Sequence, residues 1–180
     1  MAKGPEWIRE SNLIEDVDDP LEDARSFRAW KWFVAQPISL ETILKLHRRI
    51  MFKKLPPEEK GHWRTCQAWV GGHEGYPWNS LPSAMKAWLH NSFVLNPHGP
   101  MDEWCRSAHV DFERIHPFID GNGRTGRMIL NYHRVKNGLE PLCIKASERW
   151  RYYEWFEEED LETMLQRFMV GKKPKESPCP

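Results

Sequence analysis

Between residues 116 and 127 the sequence runs HPFIDGNGRTGR, and nearly every polar position in it has a use beside a bound phosphate. Gly121 and Gly123 let the backbone enter conformations closed to other residues, so that successive N–H groups can converge on an anion. A helix opening near Arg124 adds the positive end of its dipole. Arg124 and Arg127, three apart on its first turn, share one face and can fork onto phosphate oxygens. Asp120 is the acid nearest this cradle, and it suits a magnesium ion, which takes oxygen ligands and usually only one or two of them from protein carboxylates. His116 supplies a base that titrates near neutrality, able to take a proton from an attacking hydroxyl. Phe118 has no chemistry to offer and is expected to anchor the loop in the core. The bland alternative, a corner between two helices with incidental charges, leaves the coincidence of so many specified residue types unexplained.

The elements that position this string read as helices. Asp19 and Pro20 form an N-cap and first helical position, and Leu21, Ala24, Phe27 and Val34 recur at helical intervals to about Ala35. Ser39 caps a second helix whose face carries Leu40, Ile43, Leu44, His47, Ile50 and Met51, ended by Pro56 and Pro57. A third shows Met85, Trp88, Leu89, Ser92 and Phe93. A fourth carries Met101, Trp104, Cys105, Ala108, Phe112 and Ile115, and Pro117 disfavours helical geometry at the residue before it, so the helix delivers His116 at its C-terminal end. Residues 124–137 form the next helix, with Gly138 at the left-handed cap, and a last one holds Tyr152, Trp155, Phe156, Leu161, Leu165 and Phe168. Between the second and third helices, CQAWVGGHEGYPW suggests a short hairpin. The ten tryptophans are expected to serve mostly in core and hairpin packing, and His109 as a hydrogen-bonded structural histidine.

Composition narrows the function further. The chain has 180 residues, room for one ordinary core, and its 26 Lys and Arg balance 26 Asp and Glu. Such a balance gives no global positive field for nucleic acid. No run of eighteen apolar residues occurs, so no membrane role is expected. Four scattered cysteines argue for neither a zinc site nor a disulfide framework and fit a reducing cytoplasm. His73-Glu74 would need a second histidine where Pro77 stands to make a zinc-protease pair, and the other histidines are dispersed. The segment GKKPKESPCP at 171–180 has almost nothing apolar to bury and reads as a disordered tail.

The string from His116 to Arg127 resembles the active-site motif of the Fic family, in which HPF is followed by any residue, Asp or Glu, GNGR, two variable residues and Arg; every fixed position is present. The resemblance extends from GHWRTCQAWVGGHEG through SAHVDFERIHPF to SERWRYYEWF, roughly residues 6 to 170. It implies an all-α Fic fold, an orthogonal helical domain with a short β-hairpin flap, divided as an inhibitory helix segment at 1–18, a catalytic domain at 19–170 and the tail.

By the same resemblance His116 is the general base, Asp120 binds Mg2+, Gly121, Asn122 and Gly123 hold the phosphates of ATP, and Arg124 and Arg127 position the β- and γ-phosphates. Ser11 and Glu15 resemble the family's inhibitory motif, in which the glutamate pairs with the second arginine, here Arg127; Asp16 stands where that motif has Gly or Asn. Tyr152 and Tyr153 match a tyrosine pair that helps form the base pocket, although no asparagine follows them for the adenine edge. Val70, Gly71, Gly72 and His73 match the flap on which an extended target segment docks by strand addition. The activity implied is transfer of AMP from ATP to a Ser, Thr or Tyr hydroxyl of an unidentified target protein, restrained by Glu15, with a homodimer as a further possible restraint. Removal of AMP, another nucleotide or phosphoryl transfer, and a non-catalytic nucleotide-binding module are the alternatives.

Overall fold

A computed structural model describes residues 4–70, 73–94 and 100–156. Within them seven helices follow in order: α1 (Glu6–Ile14), α2 (Pro20–Phe33), α3 (Leu40–Ile50), α4 (Leu81–Phe93), α5 (Met101–Ile115), α6 (Asn122–Lys136) and the short α7 (Arg149–Tyr153). Two-residue strands β1 (Trp69–Val70) and β2 (His73–Glu74) lie between α3 and α4 and pair antiparallel, Trp69 opposite Glu74 and Val70 opposite His73. Gly71 and Gly72 of the expected hairpin lie outside the described residues, as do Leu161, Leu165, Phe168 and the tail.

The helix ends follow the local chemistry of the sequence. The Asp19 carboxylate accepts from the Leu21 N–H at 2.8 Å with Pro20 in the first position. Ser39 and Thr42 form a capping box, the Ser39 hydroxyl accepting from the Thr42 N–H at 3.1 Å and the Thr42 hydroxyl from the Ser39 N–H at 2.8 Å. Gly138 takes φ +77° after α6, as expected of a left-handed cap. Helix α6 opens at Asn122, two residues earlier than the sequence spacing predicts, because Gly121 itself adopts φ +77° and serves as the N-cap.

Helix α5 packs against α4 and α6, α3 against α2 and α6, and α1 across α2 and α6. The largest fully buried side chains include Trp88, Phe33, Phe112 and Phe118, and Trp7 and Ile8 of α1 join the same apolar cluster. Phe118 thus anchors the loop of the HPF string as its composition suggests. Among the described residues no helix is long and apolar enough to cross a membrane.

One face is misassigned by apolar spacing alone. Leu21 is exposed, and α2 turns Glu22, Ser26, Ala29, Trp30 and Phe33 inward. The polar members of that face have partners: the Asn12 amide donates to Asp23 at 2.7 Å and accepts from the Ser26 hydroxyl at 3.3 Å, while Glu22 pairs with Arg25. A search for apolar periodicity passes over buried polar groups of this kind, which are stable because they are satisfied.

Candidate active site

The site is built where α5 ends and α6 begins. His116 caps α5 in the left-handed region, φ +49° and ψ +61°, with its N–H on the Phe112 carbonyl at 3.1 Å. A left-handed non-glycine residue costs on the order of 1–3 kcal/mol and persists only where its surroundings fix it. The reward is orientation. Its Nδ1 lies 3.2 Å from the Glu113 carbonyl, which can only accept, so the proton sits on Nδ1 and the lone pair on Nε2. Burial is the main influence on the imidazole and lowers its pKa, with Arg64 acting in the same sense against the Glu113 carbonyl, Glu15 and Asp120.

The loop that follows is pinned from three sides. The Asn122 side chain accepts from the Phe118 N–H and donates to the Phe118 carbonyl, both at 2.8 Å. The Asp120 carboxylate accepts from the Gly121 N–H at 2.6 Å and is otherwise exposed. The Asp120 carbonyl accepts from Nε2–H of His47 at 2.8 Å, while Nδ1 of that ring accepts from the Gly61 N–H at 2.8 Å. The fully buried His47 ring also stacks on Phe118 at 3.8 Å, and burial pushes its pKa down to about 4. It is a fixed neutral tautomer that holds the loop. On sequence it reads as a core position of α3.

Arg124 and Arg127 leave the first turns of α6 in different company. The Arg124 guanidinium is 4% exposed, donates from Nη2 to the Met51 sulfur at 3.0 Å, and has no partner at Nε or Nη1. Buried guanidinium N–H groups without acceptors are uncommon and costly, and beside the amino end of a helix they form a site ready for an anion. Arg127, 3% exposed, is engaged instead by α1. It donates from Nε to the Ser11 hydroxyl at 2.8 Å, and from Nη2 to the Ser11 carbonyl at 2.8 Å and to Glu15 Oε1 at 2.7 Å. Its Nη1 lies 3.4 Å from the Tyr152 hydroxyl. Gly123 stands under this contact: a Cβ there would meet Glu15 Oε1 at 2.1 Å.

Glu15 is aimed by the end of α1. Asp16 takes φ +55°, its N–H bonds the Leu13 carbonyl at 3.0 Å, and the Val17 N–H reaches back to Asn12 at 3.0 Å. This is a Schellman stop, which wants a residue tolerant of the left-handed region, as Gly and Asn are and Asp is to a lesser degree. The added negative charge at the helix end is met by Arg149, 3.1 Å from Asp16.

The tyrosines divide. Tyr152 is buried, with its hydroxyl 3.0 Å from Nε2 of His109 as well as near Arg127, so His109 is the hydrogen-bonded structural histidine expected. Tyr153 is 46% exposed. Val70 and His73 lie in the paired strands. Glu113 is a residue that sequence reasoning missed: it is buried against Gly126, its Oε1 has no partner, and burial raises its pKa to about 8, so it stands as a neutral carboxylic acid at pH 7. Its place one turn before His116, on the face toward α6, is the signal that could have found it.

A family model described as Fic/DOC matches residues 37–133. The chain belongs to the Fic/DOC family. Among similar curated proteins is the protein adenylyltransferase Fic of Drosophila grimshawi, 38% identical over 118 residues, covering 64% of this chain and 24% of the relative. The namesake from Drosophila mojavensis is 36% identical over 155 residues, covering 85% and 30%. The chain therefore spans less than a third of the length of these relatives. Two solved structures share the Fic fold: Fic-1 (residues 134–508) from C. elegans, TM-score 0.64 at 22% identity over 92% of this chain and 58% of that one, and a Fic domain containing signaling protein from Bacteroides thetaiotaomicron, TM-score 0.65 at 17% identity over 92% and 80%.

Proposed function

We propose that this Fic domain is a protein adenylyltransferase that moves AMP from ATP to a Ser, Thr or Tyr hydroxyl of a target protein, and that Glu15 restrains it. The observation that carries the reading is the Arg124 guanidinium, buried with two nitrogen positions unpartnered in the first turn of α6, across the corner from α5, whose cap presents the Nε2 lone pair of His116. An anion cradle and a base aimed by one turn suit attack of a hydroxyl on a phosphate ester. The hydroxyl oxygen bonds the α-phosphorus, His116 Nε2 takes its proton, and the bond from the α-phosphorus to the leaving pyrophosphate breaks. The amides around Gly121 and Gly123, with Arg124 and Arg127, stabilise the negative charge on the phosphates.

The donor set fits magnesium. Asp120 offers one exposed carboxylate, and among the described residues no group of three or more His, Cys, Asp or Glu side chains gathers as a dedicated cage would. An ion held mainly by phosphates and water, with one carboxylate, would supply charge neutralisation at the phosphates. The β1–β2 pair, where Trp69 is exposed, is the edge on which a target segment would lie, and Tyr153, the exposed one of the two tyrosines, would meet a base.

Restraint by Glu15 is a competition for one fork. The guanidinium of Arg127 cannot serve the Glu15 carboxylate and a γ-phosphate at the same atoms, so ATP meeting the restrained site settles unproductively. Incubating the chain, Glu15→Gly and Glu15→Gly/His116→Ala with α-labelled or γ-labelled ATP and a cell lysate tests the reading. Protein label from the α position alone, raised by Glu15→Gly and abolished by His116→Ala, is expected. Label from the γ position alone, or indifference to His116, refutes it.

A further inference from the structure

Arg64 lies outside the HPF string, between α3 and β1, and is 3% exposed. Its Nε–H donates to the His116 carbonyl at 2.7 Å, and Nη2 reaches the Ile115 carbonyl at 3.4 Å. Its main-chain N–H donates to the Pro117 carbonyl at 2.9 Å. The remaining donors turn the other way. Nη1 bonds the Cys66 carbonyl at 2.7 Å and Nη2 bonds the Tyr76 carbonyl, so the fork holds the chain just before β1 and just after β2. Gln67 and Ala68 close the same base, each by one hydrogen bond to Gly75, at 2.7 and 2.8 Å.

One buried cation thus joins the left-handed turn under the imidazole to both legs of the β1–β2 pair. Its charge sits at the C-terminal end of α5, where the helix dipole favours it. The carbonyls it collects are those that the stop at His116 leaves without helical partners. The strained conformation of His116 needs such an external fix, and no other side chain among the described residues is seen to donate to the carbonyls of both His116 and Ile115.

We infer that Arg64 is a positioning residue for the transfer reaction, holding His116 and the hairpin in one frame so that a hydroxyl on a docked segment meets the imidazole at attack distance. This rests on the reading of His116 as base and of the hairpin as docking edge. Arg64 touches no part of the phosphate cradle, so its loss acts on the maximal rate and leaves nucleotide affinity alone. Lysine keeps the charge but is a point donor that cannot span carbonyls on two sides. A displacement of about 1 Å in a reacting group costs on the order of 100-fold in rate.

The test uses the full chain carrying Glu15→Gly, with Arg64→Lys and Arg64→Ala added, each followed by α-label incorporation at varied ATP, by calorimetric binding of Mg-ATP and by thermal unfolding. The expected result for Arg64→Lys is a maximal rate lower by roughly 10- to 100-fold with half-saturating ATP and Mg-ATP affinity within about twofold of the parent, and for Arg64→Ala a fall at least as large. A rate equal to the parent in either folded variant overturns the inference, and so does an equal loss of rate and Mg-ATP affinity. Failure of both variants to fold assigns Arg64 to the fold alone and overturns it as well. The parent reading is checked separately: if Glu15→Gly with Arg64 intact transfers no α-label, that reading falls whatever the Arg64 variants do.

Discussion

Replacing Glu15 by Gly removes the carboxylate that accepts from Arg127 and leaves the guanidinium its two bonds to Ser11, so the substitution tests the competition without dismantling the contact. Arg127 is buried while the Glu15 side chain is 38% exposed, which puts the pair between a buried and a surface interaction. A hydrogen bond to a charged group contributes about 1.5–3 kcal/mol net and an exposed ion pair about 0–1, so this contact is worth roughly 1–2 kcal/mol. At about 1.4 kcal/mol per factor of ten, removing the competitor raises productive occupancy by about 5- to 30-fold. The assay is the initial rate of protein labelling from α-labelled ATP, at ATP concentrations below and above half-saturation. Glu15→Gln, which keeps the shape and removes the charge, is expected to fall between parent and Glu15→Gly. Equal initial rates for parent and Glu15→Gly, with Mg-ATP binding intact in both, would refute the reasoning.

Burial keeps the His116 pKa below 6.5, so the acidic limb of the rate profile should have its midpoint below pH 6.5 and the rate should be flat from pH 7 to 8; a midpoint above 7 contradicts the assigned environment. Glu113 has a folded pKa near 8 against an ordinary 4.5, so the stability it confers is whole below pH 4.5 and is lost as pH rises through 8. Glu113→Gln should therefore raise the unfolding temperature at pH 8.5 more than at pH 5, and an equal effect at both would count against a neutral acid. His109 and His133 have the opposite sign: burial depresses them to about 3 and about 4, so stability is complete above pH 6.5 and declines as pH falls from there, seen as a falling unfolding temperature. Gly121→Ala must hold φ +77° and bring a Cβ to 2.6 Å from the Met51 sulfur, costing about 1–3 kcal/mol and weakening Mg-ATP binding measured by calorimetry; unchanged stability and affinity would remove the tight turn from the account.

Much of this was legible in the residues. Pro117 ends α5 and brings His116 to its tip, Ser39 and Asp19 cap the helices they precede, and the HPF string falls across one helix-to-helix corner. What spacing could not give were contacts between distant polar groups. His47 sits at an apolar position of α3 and holds a carbonyl 73 residues away; Arg64 gathers main-chain groups that carry no sequence signal. The inward face of α2 escapes apolar spacing because Ser26 is buried against Asn12 of α1 and Glu22 against Arg25 of α2, through polar partners rather than apolarity. Asn122, read by resemblance as a phosphate ligand, has its side-chain amide committed to Phe118.

Helix α1 contributes to the interior as well as to Arg127. Trp7, Ile8 and Ile14 are 6%, 1% and 3% exposed, and uncovering three such side chains costs about 5–9 kcal/mol in all. Swinging the half-exposed Glu15 carboxylate away costs a fraction of that. Releasing that carboxylate is thus a matter of one side chain changing rotamer over an intact helix, with both Ser11 contacts to Arg127 left in place. Under the proposed restraint a ligand that bids for the fork of Arg127 has one side chain to displace and not a helix, and the first helix remains a structural member of the fold in either state.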